Sequence, residues 1–269
     1  MFEDKLIVVR GAGDIATGTI NRLFKCGFNV LCLEVKNPSA IRRTVSYSEC
    51  VYTGTTTIES TTSVLIESIE QMTEIHNKNM IPVIIDENCD VLQKINADVL
   101  IDAIIAKKNL GTKKYMADLT IALGPGFEAG VDVHYVIETM RGHSLGRVIE
   151  KGYAIKNTGV PGLIAGKSGE RVIHAQNGGI IKNIKKISDI VKKDDIIATI
   201  DNAPVLASID GLLRGLIRDS YLVHKGMKIA DIDPRLDEYD NCFTISDKAK
   251  SIAGGVLEAI FSHWNKGGI

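Results

Sequence analysis

The amino-acid sequence predicts an α/β chain: a mainly parallel sheet domain, then a small all-β domain, then a C-terminal helix. Three observations carry this reading. In the first half, short apolar, β-branched runs alternate with stretches of helical spacing. In the second half, residues 175–201 fall on 207–233 after a shift of 32 positions, and both copies alternate like strands. From Ser246, apolar residues recur with a helical period. The implied boundaries are 1–168, 169–235 and 236–269.

Leu6 to Val9 reads as a buried strand, Ile20 to Phe24 as part of a helix, and Val30 to Val35 as a second strand. Between the first two lies Gly11-Ala12-Gly13-Asp14-Ile15-Ala16. Strand, glycine turn, helix and strand open a Rossmann-like doubly wound sheet. Gly11 suits the tight turn, Gly13 lets a phosphate approach the backbone, and Ala16 is small enough for helix to pack on strand. Glu34, at the end of the second strand, stands where an acidic residue meets a ribose hydroxyl, and Arg42 and Arg43 where a 2′-phosphate is met. The alternative is a strand-to-helix turn without a ligand. Further strands are expected over Ile81–Asp86, Val99–Ile105 and Thr120–Leu123, with a helix over 59–78. Both glycine-rich loops, the second being Gly124-Pro125-Gly126-Phe127-Glu128, fall at C-terminal strand ends and are expected to face one crevice.

The stretch from Gly124 to Gly166 is dense in ionisable groups: Glu128, Asp132, His134, Glu138, Arg141, His143 and Arg147. An enzyme reading makes His143 an acid or base and Arg141 an anion clamp. The ordinary reading is an Arg–Glu pair bracing a turn and a surface histidine. The expected ligand-binding set is Gly11, Ala12, Gly13, Asp14, Ile15, Ala16, Glu34, Gly124, Pro125, Gly126, Glu128, Arg141 and His143. No metal site is expected.

Nine positions are identical between the two copies of the repeat, from Ala175/Ala207 to Asp201/Asp233. Copies of this form resemble the two halves of a biotinyl/lipoyl-type domain, a barrel-sandwich hybrid. Such domains carry a modified lysine in the hairpin joining the halves. Here that hairpin is Asp201-Asn202-Ala203-Pro204, and Met227-Lys228 lies at the far end of the second copy. No covalent biotin or lipoate is therefore expected, and the module reads as a rigid body, a lid or a docking surface. In the terminal helix, Ser246 is placed to cap, and Gly254-Gly255 to mark close packing on the first domain. The alternative is a helix exposed for homo-oligomer formation.

The composition is ordinary for a globular chain: 269 residues, 45% hydrophobic, 24% charged, formal net charge −1. That balance argues against a nucleic-acid or membrane partner. Five scattered cysteines without a CxxC pair argue against a disulfide framework or a structural zinc. No signal peptide or ~20-residue apolar span is apparent, so a cytoplasmic setting is expected.

Longer motifs add a family resemblance. Val9–Gly18, Leu123–Asp132, Ile137–Gly146, Thr158–Gly162, Lys225–Arg235 and Thr244–Ala249 resemble the YqeB family, nearly end to end. The resemblance implies an accessory or maturation role for selenium-dependent molybdenum hydroxylases, with a hydroxylase or its maturation factors as partner. It also implies a nucleotide or molybdopterin in the crevice, Lys107 and Arg141 as anion partners, and Cys50 and Cys89 as sulfur or selenium handlers, the alternative for each being the buried, inert state usual for a free cysteine. The alternatives are an NAD(P)-dependent oxidoreductase and a non-catalytic docking adaptor.

Overall fold

The computed structural model describes Phe2 and Asp4–Gly267. The chain divides into two compact units. One takes the residues up to Pro38, Ser46–Thr158 and those from Ile245 onward; the other takes Ser39–Val45 and Gly159–Thr244. This differs from successive cuts at 168 and 235, because a short early segment belongs with the later strands.

The first unit contains β1 (Leu6–Arg10), α1 (Asp14–Lys25), β2 (Asn29–Glu34), α2 (Cys50–Thr53), β3 (Thr55–Ile58), β4 (Thr61–Ile66), α3 (Met72–Asn77), β5 (Ile81–Ile85), β6 (Val99–Asp102), β7 (Leu119–Leu123), β8 (Glu128–Ala129), β9 (Tyr135–Ile137), β10 (Val148–Ile149) and β11 (Gly152–Tyr153). Its last element is α4 (Asp247–Asn265). Nine strands form one sheet in the order β10-β9-β7-β6-β1-β2-β5-β4-β3. The strands from β9 to β4 run parallel, while β10 and β3 pair antiparallel at the two edges. β8 and β11 make a separate antiparallel pair.

Alternation along the central strands fills two cores. Ile7, Val9, Val30, Cys32, Val99 and Ile101 face one side, together with α1 and α4. Val8, Leu31, Leu33 and Leu100 face the other, against Met72 and Ile75 of α3 and the 89–97 segment. Ser246 caps α4 by accepting the Ala249 N–H (3.2 Å). The two long helices meet at Gly18, where a Cβ would lie 2.6 Å from the Ala249 Cβ.

The helix expected over 59–78 is corrected. Residues 55–66 form the β3–β4 hairpin, turning at Glu59 with a φ of 54°, and only Met72–Asn77 are α-helical. Threonines crowd both hairpin strands, and β-branched residues favour a pleated surface over a helix.

The second unit contains β12 (Val172–His174), β13 (Gly179–Asn183), β14 (Ile190–Val191), β15 (Ile196–Ile200), β16 (Ala203–Leu206), β17 (Gly211–Leu216), β18 (Leu222–Val223) and β19 (Lys228–Asp233). They build two four-stranded antiparallel sheets, β12-β19-β17-β14 and β16-β15-β13-β18. The 32-residue shift carries β13, β14 and β15 onto β17, β18 and β19. The same shift puts β12 on β16, and with these two strands counted each copy contributes two strands to each sheet. Ser188 and Ser220, one shift apart, both take a left-handed backbone.

The fold class read from sequence is accordingly corrected. A Rossmann-like parallel sheet followed by a biotinyl/lipoyl-like barrel-sandwich hybrid gives way to a large mixed sheet and a pair of antiparallel sheets. The parallel reading fails at the edges, where hairpin chemistry adds β3 and β10 in the opposite sense. It also fails in its crossovers: the β5–β6 and β6–β7 connections contain no α-helix.

Candidate functional site at the C-terminal edge of the sheet

Chain direction brings the C-terminal ends of β5, β2, β1, β6, β7 and β9 to one edge of the sheet. The strand order reverses between β1 and β6, because β1 continues to β2 on one side while β6 and β7 extend the other. A ligand of an open α/β sheet sits at such a point.

The glycine turn is held from within. Gly11 adopts a φ of 90° and donates its N–H to the Leu33 carbonyl (2.7 Å). A Cβ there would stand 3.2 Å from the backbone of Ala103 and Ile104. The buried Ala12 donates its N–H to Glu34 Oε1 (2.7 Å), and Glu34 Oε2 accepts the Val35 N–H (2.8 Å). Glu34 thus closes the turn, which corrects its expected role at a ribose: both oxygens are engaged by backbone. Burial pushes its carboxyl above the usual range, against the pull of those two N–H groups.

Gly13 begins α1 with a φ of −67°, and a Cβ there would meet nothing within 4 Å. Asp14 follows, its Oδ1 accepting the Ile15 N–H (2.9 Å). Ala16 packs into the core and Ile15 lies at its margin. Ser48 donates its N–H to the Ala12 carbonyl (2.9 Å), while its buried hydroxyl has no hydrogen-bond partner.

The second glycine loop reaches the same neighbourhood. At Gly126 (φ 113°) a Cβ would fall 2.6 Å from the Lys108 backbone nitrogen, and at Gly124 (φ 81°) 2.6 Å from Thr139 Oγ1. Both loops therefore converge on residues 103–108, as a shared crevice requires, but these close approaches are backbone to protein. Pro125 is half-buried between the two glycines. Ile105 and Lys107 take left-handed backbone (φ 59° and 62°), an uncommon state that costs most for a β-branched residue. Lys107 and Lys108 are exposed.

Beneath this loop lies a buried polar cluster that the sequence did not reveal. Arg10 and Asp102 end adjacent strands in direct register. Arg10 Nη1 donates to Thr112 Oγ1 (2.6 Å) and lies 3.4 Å from Asp102 Oδ2, and Nη2 donates to the Glu87 carbonyl (3.0 Å). Thr112 donates its hydroxyl to Asp102 (2.6 Å). Burial raises the Asp102 carboxyl, opposed by the Thr112 hydrogen bond and the Arg10 charge. The available signal was a charged residue closing each of two apolar strand runs.

Three other expected residues are placed elsewhere in the bonding scheme. Arg141 makes a two-pronged pair with Asp247 (2.7 and 3.1 Å), the first residue of α4, which corrects its reading as an anion clamp. His143 is exposed and makes no hydrogen bond among the described residues. Glu128 accepts the Tyr153 hydroxyl. Cys50 and Cys89 are buried, and burial pushes their thiols up to about 12 and about 11. This is the buried, inert alternative rather than sulfur handling, which needs the thiolate that burial disfavours.

Among the described residues, no three His, Cys, Asp or Glu side chains cluster as a metal would require, and no helix is long and apolar enough to cross a membrane. Exposed aliphatic residues line this edge: Ile85 ends β5, Val35 and Ile104 come just after β2 and β6, and Leu110 lies in the loop before β7.

No family model matches the chain. It is 47% identical over 264 residues to the uncharacterized protein YqeB of Escherichia coli (strain K12). That match covers 98% of this chain and 48% of the relative, so the chain is a homologue spanning about half of that protein's length. Among solved structures it is similar to an aspartoacylase family protein from Mesorhizobium loti (10% identity, 86% and 85% of the two chains, TM-score 0.26). It is also similar to a succinylglutamate desuccinylase/aspartoacylase from Rhodobacter sphaeroides (12% identity, 86% of each chain, TM-score 0.27). Likeness at that level transfers no activity. The relative is named only as uncharacterized, so nothing in these likenesses supports the expected role in molybdenum hydroxylase maturation with a bound nucleotide, NAD(P) or molybdopterin. That expectation is withdrawn.

Proposed function

We propose that the first unit binds a small organic carboxylate at the C-terminal edge of its sheet. Its anionic end would sit over the start of α1 and its apolar body against Val35, Ile85 and Ile104. The observation that carries this reading is Gly13. Its φ is one any residue adopts, and among the described residues nothing occupies the space of a side chain there. The fold has no use for a glycine at this position, whereas a ligand approaching the first N–H groups of a helix does. The unpartnered, buried Ser48 hydroxyl beside Ala12 is a second sign of an incomplete polar set.

The charge balance selects among anions. Asp14 already places a carboxylate in the first turn of α1, and Lys107 and Lys108 supply the cations on the neighbouring loop. A single negative charge is tolerated in that field better than a phosphate dianion. An apolar rim with a few polar groups suits a ligand with a hydrocarbon or aromatic body.

Calorimetric titration with benzoate, 3-methylbutanoate and inorganic phosphate tests this, using the wild type and Gly13→Leu. The leucine should leave the melting temperature within about 2 °C, since surface changes away from strained or buried positions stay near ±0.5 kcal/mol. It should also abolish carboxylate binding. Carboxylate binding that survives Gly13→Leu, or phosphate binding as tight as carboxylate, would overturn the proposal.

A further inference from the structure

The loop that leaves β6 holds a lysine in a backbone state that its own chemistry disfavours. Most non-glycine residues with left-handed backbone in this chain are turn formers, such as Asn79, Ser188, Asp194, Asp201, Asn202 and Ser220. Short polar side chains tolerate that state, and long or branched ones strain it. Ile105 and Lys107 are of the second kind, with φ of 59° and 62°.

Folding accounts for Ile105, which packs on the core that α1 and α4 share. It does not account for Lys107. That side chain is exposed and has no hydrogen bond or ion pair among the described residues. The backbone must turn there, because it runs over Gly126: the Lys107 carbonyl carbon and the Lys108 nitrogen lie 2.7 and 2.6 Å from where a Cβ would stand. Glycine or asparagine would make the same turn with less strain. The strained form is held at both ends instead. Ala103 and Ile104 rest against Gly11. Asn109 donates to the Thr112 carbonyl and accepts the Gly111 N–H (2.8 Å each), and the Thr112 hydroxyl is fixed between Arg10 and Asp102 (2.6 Å each). Strain kept at an exposed position by buried supports marks a group held ready for a ligand.

We infer that Lys107 determines specificity at this edge by selecting an ionised carboxylate over a neutral ligand of the same shape, a role that rests on the carboxylate reading of the site. Ile104 lies against Gly11, two residues before the start of α1, and Lys107 follows three residues later. The four-carbon stem of a lysine then carries its charge towards that helix start. A backbone fixed before binding spares the ligand the cost of ordering the loop.

Calorimetric titration of the intact chain with benzoate and with benzamide, its neutral analogue, tests this. The wild type should prefer benzoate by about tenfold or more, the worth of one charge-assisted hydrogen bond. Lys107→Gln removes the charge and keeps the backbone strain. It should bind the two ligands alike and melt within about 2 °C of the wild type. Lys108→Gln should cost less of the preference than Lys107→Gln. A second arm needs no ligand. Lys107→Gly should raise the melting temperature by about 1–4 °C as the strain is relieved, while Lys108→Gly should lower it by a similar amount, because glycine frees the unfolded chain. Equal binding of both ligands by the wild type, a preference that survives Lys107→Gln, or one that Lys108→Gln removes as fully, overturns the inference and leaves the site. A Lys107→Gly variant that melts below the wild type overturns the strain argument beneath it. A wild type that does not bind benzoate overturns the carboxylate reading itself, and this inference with it.

Discussion

Adjacent glycines in α4 should respond to the same substitution with opposite signs. Gly254 is exposed, and an alanine Cβ there would meet nothing within 4 Å. Gly254→Ala removes the entropic penalty of glycine in a helix and should stabilise the fold by about 1 kcal/mol. Gly255 is buried, and a Cβ there would fall well inside contact with the Gly146 carbonyl oxygen and 3.0 Å from Ile137 Cγ2. Gly146 cannot give way easily. It sits at a φ of 83°, its N–H is held by the Glu138 carbonyl (2.9 Å), and Ser251 crowds it from α4.

The helix itself must therefore retreat, loosening its packing on β7, β9 and β10. Overpacking of this kind costs about 1–3 kcal/mol or more, against which the same helix-propensity gain of about 1 kcal/mol applies. The two variants should differ by roughly 1–3 kcal/mol, or about 2–12 °C in Tm for a domain of 150–250 residues. Trp264, the single tryptophan, lies on α4 and stacks on Phe2 at 5.9 Å, so its fluorescence reports docking of this helix during a thermal melt. A Gly255→Ala variant that melts at or above the wild type would refute the packing argument. A drop in Gly254→Ala would refute the reading of that position as open.

His134 should make the first unit acid-sensitive. Its Nδ1 accepts the Thr120 N–H (3.0 Å), and burial, then Lys114 and His263, lower its pKa to about 4. A folded pKa below the unfolded value near 6.5 means that its stabilisation is complete above about 6.5 and is lost as pH falls towards 4. Urea midpoints should decline across that window and decline less in His134→Asn; parallel declines would exclude His134 as the source. Thiol titration of the native chain should show rapid reaction at Cys26 alone, since the other four cysteines are buried, and complete reaction only on unfolding. Two fast thiols would contradict the burial assignments. Ser246→Ala should cost about 1 kcal/mol by removing the α4 cap; a neutral result would mean that water satisfies the Ala249 N–H equally well.

What could be read in the sequence was what local physics decides. The runs at Leu6–Arg10, Asn29–Glu34, Ile81–Ile85, Val99–Asp102 and Leu119–Leu123 are continuous and apolar because both of their faces are buried, and such runs stand out in any sequence. The capped terminal helix was legible for the same reason, since its cap and its period both lie within one segment. Pairing direction was not. Residues 59–78 carry apolar side chains at helical spacing (Val64, Ile66, Ile69, Met72 and Ile75), and only the turn at Glu59 together with the threonines of 55–62 marks the hairpin. Nor could the sequence show that residues 39–45 leave the first unit to cover β17, because that contact joins positions roughly 170 residues apart.

The site shows a different limit. Glu34, Arg141 and Gly126 were singled out for the right chemistry: an acid near a helix start, a fork of donors, a backbone without a side chain. Each is consumed by the protein itself, Glu34 by two backbone N–H groups, Arg141 by Asp247, and Gly126 by the Lys107–Lys108 backbone. Residue type reports what a group can bind, while only geometry reports whether it is already bound. Gly11, Gly124 and Gly126 all have a structural reason in their positive φ or their close neighbours. Gly13 has neither, and the preceding Ala12 bonds Ser48, whose buried hydroxyl has no hydrogen-bond partner among the described residues. The unexplained glycine therefore carries more functional weight than the motif that contains it, because every other part of that motif is accounted for by folding.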